Sequence, residues 1–121
     1  MADNFISPGK VLQYTNAGSA ITAGSVVKMG NILGVALVDI ATSATGSVQI
    51  DGVFDVPKVT GAVIAIGESL TWDVSAAKFD DNLATPATGD VTGAAAVAAE
   101  AAGNGVTTLA VKFTGVPGTV T

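Results

Sequence analysis

The residues that could do chemistry in this chain are few, and the types most useful for it are missing. Among its 121 residues there is no Cys and no His, and the five basic residues are all lysine: Lys10, Lys28, Lys58, Lys78 and Lys112. Ser-His-Asp and Cys-His nucleophilic catalysis are therefore impossible, as are thiolate metal sites and disulfide staples. A Ser-Lys pair is compatible with the composition, because Ser7 and Lys10, or Ser75 and Lys78, have suitable spacing on a helix. Both pairs sit in or beside predicted turns, which favours a structural role. A phosphate loop needs Gly, four residues, then Gly-Lys-Ser/Thr; Gly9-Lys10 has Asn4 at the first position and Val11 at the last, so both ends fail. The carboxylates offer little more. Asp80-Asp81-Asn82 lacks the alternating ligands, central Gly and terminal Glu of a calcium loop and reads as solvated turn. Asp51 and Asp55 share a strand parity but are too far apart for an assured catalytic pair, so they serve to keep that face wet. No catalytic residue, cofactor-binding motif or metal set is expected.

What remains is a hydrophobic chain in search of cover. Hydrophobic residues make up 49% of the sequence against 12% charged, and the apolar content is mostly Val and Ala, with Tyr14, Trp72 and four Phe as the aromatics. No window approaches a membrane-spanning run of ~20 residues, and the start has no basic segment leading into an apolar one, so a soluble, unexported chain is expected. An oligomer or an assembly would absorb the surplus apolar surface. Ten acidic residues against five lysines give a net charge of −5, and the lysines are scattered, which makes duplex DNA an improbable partner.

Short β-rich runs closed by Gly, Asn, Asp or Ser predict an all-β fold of about seven strands in a compact β-sandwich or irregular β-barrel. Strands are expected at Val11 to Thr15, Ser25 to Met29, within Ile32 to Ile40 with burial on both faces, and at Leu70 to Val74 and Val106 to Phe113. The clearest period of two runs from Ser47 to Val56 and stops at Pro57, which cannot donate a ladder hydrogen bond. Residues 61–67 are an apolar run too short for a free-standing helix, residues 78–90 read as a surface loop, and the end from Gly115 as irregular. The alanine-rich stretch after Gly93 has high helix propensity but few large residues to anchor a helix; a strand of small side chains from about Val91 to Glu100 is preferred. Residues 1–8, with Phe5 and Ile6 ahead of Pro8-Gly9, read as an extended N-terminal arm on a single β-rich domain of residues 9–121, the competing reading being a frayed terminus. Trp72 admits two readings, a core anchor sharing the parity of Leu70 and Val74, or an amphipathic ring at a contact rim; the first is preferred.

Four segments together carry a family resemblance. Asn4-Phe5-Ile6-Ser7-Pro8-Gly9, Leu33-Gly34-Val35-Ala36-Leu37-Val38-Asp39, Asp51-Gly52-Val53-Phe54-Asp55-Val56-Pro57-Lys58 and Gly67-Glu68-Ser69-Leu70-Thr71-Trp72-Asp73 resemble, in order and spacing, the tailed-phage capsid cement, or head decoration, proteins. Members of that family sometimes carry a recombinase-like label, which the failed phosphate loop and the acidic balance oppose here. The resemblance implies a non-enzymatic structural virion protein, a homotrimer on the outer surface of the capsid that stabilises the head by bridging major capsid protein subunits. It would reside in the host cytoplasm before assembly, with neither nucleic acid nor membrane as partner and no cofactor. Phe5, Ile6 and Pro8 match the family's capsid-binding arm, and Trp72 inherits only a packing role. A β-rich binding module for a host-surface ligand, or a tail or connector component, is the alternative.

Overall fold

A computed structural model describes Asn4 and residues 6–121. Its first four strands, β1 (Val11–Thr15), β2 (Val26–Met29), β3 (Ile32–Ala36) and β4 (Thr45–Gln49), form an antiparallel sheet in the order β1-β4-β3-β2. The β2–β3 turn is the two-residue pair Gly30-Asn31, with Gly30 at φ +62°, a backbone position that a side chain resists. Gly34 in β3 is required for a different reason. A Cβ there would lie 2.6 Å from Val48 Cγ1 and 2.7 Å from the Gln49 carbonyl oxygen, so β3 and β4 approach closely only because the position is bare.

The chain then changes sheets. The alternation expected from Ser47 to Val56 is present, with Val48, Ile50 and Val56 buried and Val53 57% exposed. It does not form one strand, however: β4 ends at Gln49 and β5 (Asp51–Pro57) belongs to a second sheet. The break falls at Ile50, and Gly52, the second residue of β5, redirects the chain just beyond it. This glycine adopts φ +134°, which glycine alone tolerates at low cost, and Gln49 Nε2 donates to the Asp51 carbonyl oxygen across the bend at 2.7 Å.

The third sheet begins with β6 (Thr71–Asp73) and β7 (Lys78–Asp80), followed by β8 (Val91–Thr92); β9 (Ala96–Ala98) and β10 (Thr108–Thr114) return to the second; β11 (Thr119–Val120) closes the third. The orders are β5-β10-β9 and β11-β8-β6-β7, antiparallel throughout. The fold is all-β, a sandwich or irregular barrel of three sheets, with eleven strands among the described residues where the sequence suggested about seven. Many are two or three residues long, below the length at which a period of two can be read.

Three further differences have physical causes. Lys78–Asp80 is a strand rather than the start of a loop, because Phe79 pairs with Trp72 across the β6–β7 hairpin and is wholly buried. Between Val91 and Glu100 the chain is extended, not helical, but Gly93 at φ +89° divides it into β8 and β9 of different sheets; Ala95, Ala96 and Ala98 lie buried beneath the neighbouring layer. The C-terminal end is ordered by pairing of β11 with β8 and by Asn31, whose carbonyl oxygen accepts from Gly118 N at 2.7 Å and whose Nδ2 donates to the Gly118 carbonyl oxygen at 3.1 Å.

Two hydrophobic clusters result. The larger gathers Leu33, Val35, Val56, Trp72, Phe79, Val91, Leu109, Val111 and Phe113 with the buried alanines; the smaller contains Val27, Ala36, Ile40, Val48 and Ile50. Strand β3 serves both, Leu33 and Val35 pointing into one and Ala36 into the other, which is the two-faced burial expected of this segment.

Candidate functional site

Residues 6–10 lie at an edge of the fold. Strand β1 is an outer strand of its sheet, and the ladder continues one step beyond it where Ile50 N donates to the Lys10 carbonyl oxygen at 2.9 Å. Gly9 turns the chain at φ +86°, and Ile6 upstream of it is 95% exposed; Pro8 is exposed as well. A branched aliphatic side chain so exposed gains nothing from its own fold, whereas burying it against a partner would contribute about 1.5–3 kcal/mol. Phe5, the third arm residue singled out from sequence, lies outside the described residues.

Trp72 lies elsewhere, at 5% exposure in the larger cluster. Its ring sits 4.8 Å from that of Phe79, which lies 5.9 Å from Phe113, which in turn lies 6.0 Å edge-on to Phe54. These four rings form a continuous aromatic spine. Its strand partners are β7 and β8 of the third sheet, apart from Ile6 and Pro8. Its outer edge borders a cleft of about 270 Å³ with Gly24, Ser25, Val26, Pro57 and Ala77. No charged side chain lines that cleft, and its volume falls below the ~300–1,000 Å³ of ordinary ligand pockets.

The polar residues weighed for chemistry are engaged in shaping turns. Asp73 Oδ1 accepts from Ser75 Oγ at 2.8 Å, and from Ser75 N and Ala76 N. The Ser75 hydroxyl chiefly, then the Ala76 amide, hold the Asp73 carboxyl below its ordinary pKa. Ser75 is thus committed to Asp73 and not to Lys78. Asp51 pairs with Lys112 across the β5–β10 ladder at 3.0 Å, an exposed contact whose hydrogen bond and charge lower the Asp51 pKa. Asp80 and Asp81 accept from the Asp81 and Leu83 amides within their own loop. Among the described residues no group of three or more metal-ligating side chains converges, and no helix is long and apolar enough to cross a membrane.

Two features were not singled out from the sequence. Glu68 joins residues 61–67 to the 80s loop by accepting from Ala65 N and Asn82 N, at 3.3 and 3.0 Å. The segments so joined carry Val63, Ile66 and Leu83, which are 65%, 69% and 86% exposed. A hydrophobic run flanked by Gly61 and Gly67 is visible in sequence; that Val63, Ala65 and Ile66 face outward is not. The other is Lys58, one of the five scattered lysines and the last residue of a family-like run, which is in fact fully buried.

Among the described residues the geometry is therefore a surface with exposed apolar groups, and the cleft beside Trp72 carries no charged side chain. No curated protein matches the chain. A family model described as phage cement protein matches residues 6–113, nearly the whole fold from the exposed Ile6 to the buried Phe113. The match accounts for an apolar surface without catalytic machinery: this is a structural, non-catalytic protein of the virion, associated with the capsid, and the chain belongs to the phage cement protein family.

Proposed function

We propose that this protein stabilises the phage head by bridging major capsid protein subunits on the outer surface, acting as a homotrimer, with residues 1–8 as a capsid-binding arm on a domain of residues 9–121. The observation that carries this reading is Ile6, 95% exposed beside a glycine turn at the free edge of β1. On docking, the arm orders against an edge of the capsid lattice, acquiring backbone hydrogen bonds while Phe5 and Ile6 are covered and Pro8 limits the conformations to be lost. Ordering costs entropy, which trimer formation offsets by presenting the later arms at high effective concentration. Each contact then contributes only a few kcal/mol, yet repetition over the lattice resists internal pressure collectively. Val63, Ile66 and Leu83 supply a second exposed apolar region for subunit or capsid contacts.

Deletion of residues 2–8 tests the arm. The truncated protein is expected to retain its circular dichroism spectrum and melting midpoint but to co-sediment with expanded heads at least about tenfold more weakly, the loss expected when one apolar side chain per subunit is no longer buried. Undiminished binding would reject the arm mechanism. Mass measurement in solution and density on intact particles test the trimer and its place on the head.

A further inference from the structure

Lys58 follows the proline that ends β5, and none of its surface is exposed. Its Nζ lies 2.8 Å from the Val59 carbonyl oxygen, 3.1 Å from that of Gly103, 3.2 Å from that of Val106 and 3.3 Å from that of Thr60. An ammonium group has three N–H donors and no acceptor, so four converging carbonyl oxygens share its hydrogens around a central positive charge. All four acceptors are main-chain groups, and they come from only two loops, residues 58–60 and 103–106. Those loops are also laced directly, by Lys58 N to the Thr107 carbonyl oxygen at 2.9 Å and by Gly105 N to the Thr60 carbonyl oxygen at 2.8 Å.

A buried charge is costly unless its surroundings replace water, and the usual replacement is a carboxylate. None serves here: the ion pair found among the described residues is Lys112 with Asp51. The four carbonyl dipoles do the work of the missing counter-ion. The geometry points to a cation-binding cage, built from the main chain of two loops, whose ligand is a primary alkylammonium ion that the chain supplies itself on the Lys58 stem. This inference stands apart from the cement function and holds whether or not the arm binds capsid. The ammonium is a positioning element that fixes the 58–60 and 103–106 loops against each other. A neutral side chain of similar length leaves the Val106 carbonyl oxygen without its donor and leaves those of Val59, Thr60 and Gly103 only the amides of Ala62, Gly105 and Val106. A planar guanidinium cannot direct its rigid fork at four convergent acceptors.

Chemical rescue tests the cage. Lys58→Ala removes three methylenes and the ammonium, a fragment reproduced by n-propylammonium. The variant is expected to melt at least about 8 °C below the parent, the shift expected when buried acceptors lose a charged partner. Added n-propylammonium chloride should raise that midpoint saturably. Tetramethylammonium chloride at equal ionic strength, which has no N–H, should not, and neither salt should move the parent protein. The absence of a selective rise, or an equal rise in the parent, overturns the proposal. So does a Lys58→Met variant as stable as the parent, since packing of the stem would then suffice. Should Lys58→Ala fail to fold, acetylation of the parent protein by limiting reagent, mapped by mass spectrometry, remains decisive. Lys58 should resist modification until the chain unfolds, after the other four lysines have reacted, and early acetylation of Lys58 in the folded protein overturns the cage.

Discussion

Phe79 lies directly opposite Trp72 in the β6–β7 hairpin, with ring centroids 4.8 Å apart and planes inclined at 60°. The pair joins this hairpin, whose strands are three residues each, to the centre of the fold, because Phe79 also meets the ring of Phe113 in β10. Phe79 is wholly buried and stands in the middle of the spine, so its replacement by alanine removes contacts on two sides at once. Phe79→Ala is expected to destabilise the protein by about 3–5 kcal/mol. Phe79→Leu, which keeps most of the volume, should cost less than half as much. Urea denaturation followed by Trp72 fluorescence measures both, and equal losses for the two substitutions would contradict a role based on filling volume.

The two glycines Gly34 and Gly61 should respond oppositely to alanine. Gly34→Ala places a methyl group against Val48 and the Gln49 carbonyl, where the nearest contacts would fall at 2.6 and 2.7 Å, and backbone must shift to admit it. A loss of about 1–3 kcal/mol is expected, as for other overpacked sites. At Gly61 nothing lies within 4 Å of the added methyl and φ is not positive. Gly61→Ala should therefore be neutral or stabilising by up to about 1 kcal/mol, through lower entropy of the unfolded chain. Thermal melts of the two variants beside the parent decide it.

Acid should act on Asp51 and Asp73 later than on ordinary carboxylates. Both have pKa values lowered in the folded protein, so each contributes stability that is present above the unfolded pKa and is lost as pH falls through the lower folded value. The window is the acidic one below about pH 4. Lys112→Ala should return the Asp51 titration towards its ordinary position and leave that of Asp73 unchanged, because Asp73 depends on Ser75 and Ala76 instead. Carboxyl carbon chemical shifts followed against pH report each group separately; a shift of both midpoints by Lys112→Ala would disprove the local assignment.

Ile6→Ser separates attachment from folding. The side chain is 95% exposed, so the melting free energy should change by no more than about 0.5 kcal/mol. Binding to expanded heads, if the arm docks as proposed, should weaken by about tenfold or more, corresponding to the burial of one aliphatic side chain. Titration of heads with fluorescently labelled protein provides the measurement, and a variant that binds like the parent would remove Ile6 from the contact.

Much of the architecture can be read from periodicity where strands are long enough to show it. Val48, Ile50 and Val56 alternate with exposed Val53 as their parity requires, and Leu109, Val111 and Phe113 do so in β10. The alanine-rich segment was legible as extended because it lacks the large residues that a helix would need. Local pattern carries no information about which sheet a strand joins. One continuous alternation is divided between two sheets at Ile50, just ahead of Gly52, without altering its parity. Phe79 was missed for a related reason: a single large apolar residue in a polar run gives no period, and its burial depends on Trp72 and Phe113, which are distant in different ways. Lys58 was the least legible, since a lysine's usual place is the surface and its ligands are carbonyl groups, which every residue possesses.

Strand β3 separates the two hydrophobic clusters and supplies side chains to each, so it behaves as a partition wall between adjoining rooms. Withdrawing it would open both rooms to water together, which couples the unfolding of the two clusters through one strand. Damage to this one strand should therefore be felt on both sides of the wall at once.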